Sequence, residues 1–200
     1  MRLQLVVGLG NPGDNYRDTR HNAGADFVSE LARHHGVTLA PESRFFGLAG
    51  RIQAPGLDVR LLIPTTFMNR SGQAASAMAR FFKIAPEDTL VAHDELDFEP
   101  GIARLKAGGG HGGHNGLRDI SKAMGDTYMR LRLGIGHPGN ARDVSNYVLS
   151  RASISDRDRI STSIDESVRV VPLLAAGDWT QAVQQLHTAT KPMEAKQDGI

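Results

Sequence analysis

The chain has 200 residues, 40% of them hydrophobic and 22% charged, enough to bury one core and too few for several domains. It contains no cysteine, which excludes disulfides, thiolate chemistry and Cys-ligated zinc and makes a reducing, cytoplasmic compartment the expected home. No apolar stretch approaches the ~18 residues of a membrane span and the opening MRLQLVV is too short for a signal peptide, so no membrane partner is expected.

In chain order, the apolar run LQLVV (3–7) reads as a strand and GLGNPG (8–13) as the turn after it. Gly8, Gly10 and Gly13 carry the letters of a dinucleotide fingerprint. In such a fingerprint the helix opens among the glycines, so that its N–H groups hold a pyrophosphate. Here Pro12, Asp14, Asn15 and Asp18 prolong the turn, and an amphipathic pattern starts only at Ala23. Glu42, after a short strand-like run at 37–40, can stand for the ribose-binding carboxylate, so a dinucleotide stays open as an alternative. The sharper reading is a tight turn at a strand's end that aims Asn11 into a cleft.

A helix over 23–35 follows, capped by Asn22, with Phe27, Leu31 and His35 on one face and Gly36 as its stop. Runs 45–53 and 58–63 flank Pro55-Gly56 and suggest a hairpin. Pro64 ends the second run, and the loop from Thr65 to Asn69 leads into a helix over 71–82. Pro86 opens a turn before a short strand, 89–92, that ends in His93, Asp94 and Glu95. The next strand-like run, 101–107, is expected antiparallel to it. GGGHGGHNG (108–116) is too glycine-rich for regular structure and reads as a mobile loop or an anion-cradling turn. It lacks the GK[ST] ending of a P-loop. A helix starts at Asn115, with Leu117, Ile120 and Met124 on one face. Residues 130–136 alternate, Leu131, Leu133 and Ile135 against Arg130 and Arg132, as a strand with one basic face. Beyond Asp143 the pattern is helical: 144–149, then 155–176 with Pro172 as a kink or break, then a helix capped by Asp178. The expected architecture is α/β, a single domain over 1–190 with a twisted mixed β-sheet flanked by helices, followed by a frayed polar tail from Thr190 that leaves 191–200 flexible.

The net charge is only +1, but it is unevenly spread. Between Ile84 and Ala103 there are six acids and no Lys or Arg. Between Ala103 and Arg142 there are seven bases against Asp119 and Asp126. Such a patch on a near-neutral protein is either ordinary solvated surface or the footprint of a polyanion held at one place.

Loops at strand ends build the sites of open α/β sheets. Three of them hold an Asn beside a helix start: Asn11 (with His21), Asn69 and Asn115. Another ends in Asp94. Together they supply a base, a carboxylate to orient it, and amides that donate and accept, a hydrolase set with no need of a side-chain nucleophile. Of the eight histidines, His21 lies just before a helix N-terminus, where the dipole disfavours imidazolium and keeps a base neutral. A carboxylate on its other nitrogen would fix the tautomer. His93, His111, His114 and His137 are the competitors. His111 and His114 with Asp94 or Glu95 can be written as a metal site. However, HxxH in a glycine loop lacks the rigid spacing of a helical HExxH, and no third ligand is obvious, so no metal is expected.

GLGNPG with TRHNAG, PTTFMN, HDELD, GGGHGGHNG and RLRLGIGHP occur in the order and spacing of the bacterial peptidyl-tRNA hydrolases, which the chain resembles from Leu3 to at least Leu149. The resemblance implies a single α/β domain, a monomer with no obligate protein partner, no cofactor, and hydrolysis of the ester that joins a peptide to the 3′ terminus of tRNA. It implies His21 as the general base, Asp94 as its orienting partner, and Asn11 bonded near the ester, distinguishing blocked from free aminoacyl groups. Tyr16, Phe67, Asn69 and Asn115 would line the channel for the 3′ end and peptide, with Met68 as an apolar wall. Lys106 and Arg132 would meet phosphates of the acceptor end, which accounts for the basic patch. An RNA-binding protein that has lost activity is the other reading, and the intact Asn11, His21 and Asp94 argue against it.

Overall fold

The apolar runs become the parallel centre of one seven-stranded sheet. In the computed structural model, which describes residues 1–192, the strands are β1 (Leu5–Gly8), β2 (Ala40–Glu42), β3 (Gly47–Ala54), β4 (Leu57–Pro64), β5 (Thr89–Glu95), β6 (Ala103–Ala107) and β7 (Met129–Gly134). The helices are α1 (Ala23–His34), α2 (Ser71–Phe82), α3 (Asn115–Met124), α4 (Val144–Val148), α5 (Ile154–Ala176) and α6 (Trp179–Ala189). The order across the sheet is β2-β3-β4-β1-β5-β7-β6. β4, β1, β5 and β7 run parallel, and β2, β3 and β6 are antiparallel to their neighbours. The mixed α/β sheet expected from the alternation of patterns is therefore present. The hairpin at Pro55-Gly56 is β3–β4.

One pairing differs from expectation. β6 does not lie against β5; β7 inserts between them. β7 is buried at five of its six positions, so it takes the inner place, whereas β6 ends in the exposed Lys106 and Ala107 and takes the edge. The outward groups of β6 are covered by side chains of α6 and of Thr190 at its end. Ala103 N–H donates to Thr190 Oγ1 at 3.2 Å, Thr190 Oγ1–H lies 2.9 Å from Ala103 O, and Leu105 N–H donates to His187 Nε2 at 2.9 Å. Thr190 is thus buried and anchored, not the start of a frayed tail. The rest of that tail, from 193 on, lies outside the described residues.

The sheet carries a core on each face. Phe27, Leu31, Leu131 and Val171 represent the face under α1 and α5. Leu5, Val7, Leu62, Met78, Ile120 and Tyr128 represent the face under α2 and α3. Of the kink or break expected at Pro172, a break does not occur, since α5 continues through it to Ala176. The feature that positions the site is the seat of α1 on the sheet. A Cβ on Gly24 would lie 2.1 Å from Ala92 O, and one on Gly8 only 2.3 Å from Gly24 O. Only paired glycines allow the first turn of α1 to rest directly on the carboxyl ends of β1 and β5. Ala25 N–H donates to Leu9 O and Leu9 N–H to Ala92 O, at 2.9 and 3.0 Å, which locks the three segments together.

Candidate active site

The polar segment after β1 is folded as two 3-10 turns, Asp14–Tyr16 and Arg20–Asn22. Arg20 holds the second. Its guanidinium stacks on Tyr147 at 4.0 Å and donates to Ser150 Oγ and the Arg151 carbonyl, and its backbone N–H donates to Ser150 O. That clamp delivers His21 to the end of β5, more than 70 residues later in the chain.

His21 and Asp94 meet there, only 8% and 4% exposed. Nδ1 of His21 lies 2.9 and 3.0 Å from the two carboxylate oxygens. An ionised carboxylate accepts only, so Nδ1 carries the proton and Nε2 is left with a free lone pair, the arrangement of a general base. Burial alone would push the His21 pKa down, but the charge and hydrogen bond of Asp94 outweigh it and hold it above the ordinary value. The expected influence of the α1 dipole is therefore overridden by the carboxylate. Burial likewise penalises the Asp94 anion, and the two imidazoles beside it outweigh that and hold its pKa far below the usual carboxylate range.

The second imidazole is His114, which the sequence reading set beside Asp94 only as a ligand of a candidate metal site. Its Nε2 lies 2.8 Å from Asp94 Oδ1. Its Nδ1 accepts from the N–H groups of Gly116 and Leu117, capping α3 at 3.2 and 3.4 Å. With Nδ1 occupied as an acceptor, the proton sits on Nε2 and points at Asp94. The local signal was present, since His114 directly precedes the helix start at Asn115, but a side chain that caps with one nitrogen and donates with the other is recognised only in three dimensions. Ligand atoms of His21, Asp94 and His114 fall within 4.8 Å of one another, close enough to consider a cation. Binding one through His114 Nε2 would require the proton on Nδ1, against two backbone donors. The donor set therefore fits a doubly hydrogen-bonded carboxylate better than a metal centre. His111, expected beside His114 in such a centre, is instead engaged with Gly113 N–H.

The other competitors separate by burial. His93 is 2% exposed and donates Nδ1–H to Asp94 O at 2.8 Å. Burial and the neighbouring His114 push its pKa down to about 3, so it is a neutral packing group below His114. His137 is exposed and accepts from Gly139 N–H.

Asn11 is fixed on three sides. Asn22, expected as the α1 cap, makes no cap bond; its side chain grips the Asn11 backbone, accepting from N–H at 2.8 Å and donating to C=O at 3.0 Å. Asn11 Oδ1 accepts from Met68 N–H at 2.8 Å. The Asn11 Nδ2 group is then the part of the amide left without a hydrogen bond among the described residues. Asn22 and Arg20 are further residues that sequence reasoning did not single out for this work. Tyr16 and Phe67 meet edge to face at 6.4 Å. Met68, expected as an apolar wall, is buried under Gly116. Asn69 and Asn115 are exposed, beside Met68 and His114 respectively.

The cations lie to one side, on β6 and β7. Lys106 is directly opposite Arg130 and Arg104 opposite Arg132, like charges across a strand pair. Lys106 is exposed. Arg132 pairs with Glu95 at 2.9 Å and stacks on Phe98 at 4.5 Å. Arg130 departs from the expected basic face. It is buried and donates to the carbonyls of Gly108 and Gly110 at 2.9 and 2.6 Å. The glycine loop, read from the sequence as either a mobile loop or an anion-cradling turn, is therefore stapled by a cation through its carbonyls at Gly108 and Gly110.

A family model described as "Peptidyl-tRNA hydrolase" matches residues 5–195. The chain is 59% identical to the peptidyl-tRNA hydrolase of Pseudomonas aeruginosa (strain LESB58) over 188 residues, 93% of this chain and 97% of that one. It is 56% identical to that of Pseudomonas fluorescens over the same shares. Among solved structures, peptidyl-tRNA hydrolase from Acinetobacter baumannii superposes with a TM-score of 0.90 at 51% identity, covering 92% of this chain and 94% of that one. The structure of a peptidyl-tRNA hydrolase with N-propanol superposes with a TM-score of 0.91 at 50% identity, covering 95% and 96%.

Proposed function

The chain belongs to the peptidyl-tRNA hydrolase family, enzymes that hydrolyse peptidyl-tRNA, and on that premise we propose that His21, Asp94 and Asn11 carry the reaction. The observation that supports this most is the pairing of His21 Nδ1 with a buried carboxylate, which leaves Nε2 as a base. Nε2 removes a proton from water, and the oxygen attacks the ester carbonyl between peptide and ribose. The resulting imidazolium is stabilised by Asp94 and then protonates the departing ribose oxygen, so the proton returns and free tRNA and peptide leave. Asp94 and His114 do not touch substrate in this scheme; they hold the base. Asn11 Nδ2 donates to an acyl carbonyl of the substrate, which an N-blocked aminoacyl group offers and a free ammonium does not. Tyr16, Phe67, Asn69 and Asn115 line the path of the 3′ terminus and peptide, with Met68 beneath it.

Lys106 and Arg132 hold phosphates of the acceptor end, with Glu95 keeping Arg132 extended until then. Such contacts give affinity without sequence information. No helix among the described residues is long and apolar enough to cross a membrane. We propose a single domain over 1–190 acting as a monomer in the cytoplasm.

The test is hydrolysis of an N-acetyl-aminoacyl-tRNA beside the unblocked form. His21→Ala is expected to lower turnover of the blocked substrate by about 10²–10⁴-fold, the usual worth of a general base, with tRNA binding retained. Near-normal turnover in that variant overturns the assignment.

A further inference from the structure

From one flank of the sheet to the other the elements lie in a fixed order: the cations of β6 and β7, then Asp94 on β5, Asn11 after β1, the 65–70 segment after β4, and finally the turn that opens β3. Resting on the catalytic reading above, in which the tRNA lies on the cationic side, the peptide leaves on the other side, over β4 and β3. All the phenylalanines exposed among the described residues lie there: Phe67, Phe46 and Phe81.

Phe46 is the informative one. It sits directly before β3 with φ +52, the left-handed region. Asp18 and Lys83 share that region, but a bulky aromatic there is a true outlier. The position closes the 3-10 turn Ser43–Phe45, where glycine or asparagine is the ordinary choice. Glycine comes one residue later, because a Cβ on Gly47 would lie 2.5 Å from Ile63 O. The turn thus points Phe45 inward against Phe81 and Phe82, at 5.5 and 5.6 Å between ring centres, and leaves the Phe46 ring 40% exposed. The turn is tied to the site: Phe46 O accepts from both Thr65 N–H and Thr65 Oγ1–H, and the segment from Thr65 runs through Phe67 to Met68, whose N–H holds Asn11. Packing calls for Phe45, not for an exposed aromatic in a strained conformation beside it.

We propose that Phe46 forms a distal subsite for the peptide part of the substrate, favouring longer peptides. Three strand spacings separate it from Asp94, about 14 Å, which an extended peptide covers in roughly four residues.

The test uses one tRNA carrying N-acetylated peptides of one, three and five residues, with KM and kcat measured for each. The native chain is expected to show a KM lower by about tenfold for five residues than for one, the worth of one apolar side-chain contact. Phe46→Gly, which fits the left-handed backbone, should melt no lower than the native protein yet bring that ratio to within about twofold of one, as should Phe46→Ala. Phe46→Leu should restore part of it. A native KM independent of length, or a ratio preserved in Phe46→Gly, overturns the subsite. Loss in Phe46→Ala alone would mean that the effect is structural, and would overturn it equally. Full turnover in His21→Ala would instead overturn the catalytic reading on which it rests.

Discussion

Asp94 accepts from two imidazoles at once, and the two do different work. In the mechanism proposed above, His21 must lose and regain a proton, whereas His114 keeps its proton pointed at the carboxylate because its other nitrogen is committed to α3. The base acts in its neutral form, and its pKa stands above the ordinary 6.5. The rate should therefore rise with pH through a midpoint above 6.5 in kcat/KM. In Asp94→Asn the charge is gone and burial dominates, so the midpoint should fall below 6.5 while the maximal rate drops. A profile that does not move would show that the limb belongs to another group. Asn22 supplies a second residue-scale prediction. Asn22→Ala removes both grips on the Asn11 backbone and should cost about 1–3 kcal/mol in urea denaturation, as for any partly buried pair left unsatisfied. Its kcat should fall with it, because Asn11 loses its aim. His21 and Asn11 were legible in the sequence as loop residues after a strand. The work of His114 and Asn22 was not: the first was read beside Asp94 only as a metal ligand and the second only as a cap, whereas in the fold His114 caps α3 while donating to Asp94 and Asn22 grips Asn11.

The contact between α1 and β5 decides whether the site exists. Gly24 lets the helix sit on the strand so closely that any side chain would meet the Ala92 carbonyl. Gly24→Ala should destabilise by about 1–3 kcal/mol, the cost of overpacking a tight interface. Turnover should fall further than stability accounts for, since His21 lies three residues before the glycine and would be lifted from Asp94. Urea midpoints and kcat on the same preparation separate the two effects. The glycine letters at Gly8, Gly10 and Gly13 were readable, but not the purpose of Gly8, and Gly24 was not singled out at all. Resemblance to a nucleotide cradle competes with close packing until the helix start is located. The placement of β6 illustrates the same point: its composition marked it as a strand, while its neighbour was decided by the burial of β7, a long-range contest that local pattern does not record.

For the whole molecule, charge placement matters more than net charge. A chain of net charge +1 gathers cations on one flank of its sheet, and opposed like charges such as Lys106 and Arg130 are relieved when a polyanion arrives. KM for the tRNA substrate should rise with salt, and Lys106→Ala should reduce the slope of log KM against log salt by about one, as for the loss of a single phosphate contact. A slope left unchanged would remove Lys106 from the interface. The α/β class and the single sheet were legible from alternating patterns; the division of the molecule into a cationic and an aromatic flank was not, because it depends on strand order.

The outer margin of β6 has a consequence of its own. Thr190 and His187 occupy the main-chain groups of alternate residues there, as an added strand would. At the opposite margin, β2 is three residues long and has Pro41 at its centre. A sheet left open at either side is a template on which another chain can grow. Here one margin is already taken by side chains of a helix, and the other is brief and has a proline, with no N–H to offer, at its middle. An enzyme whose substrate carries a peptide chain is thereby a poor seed for the accretion of such chains.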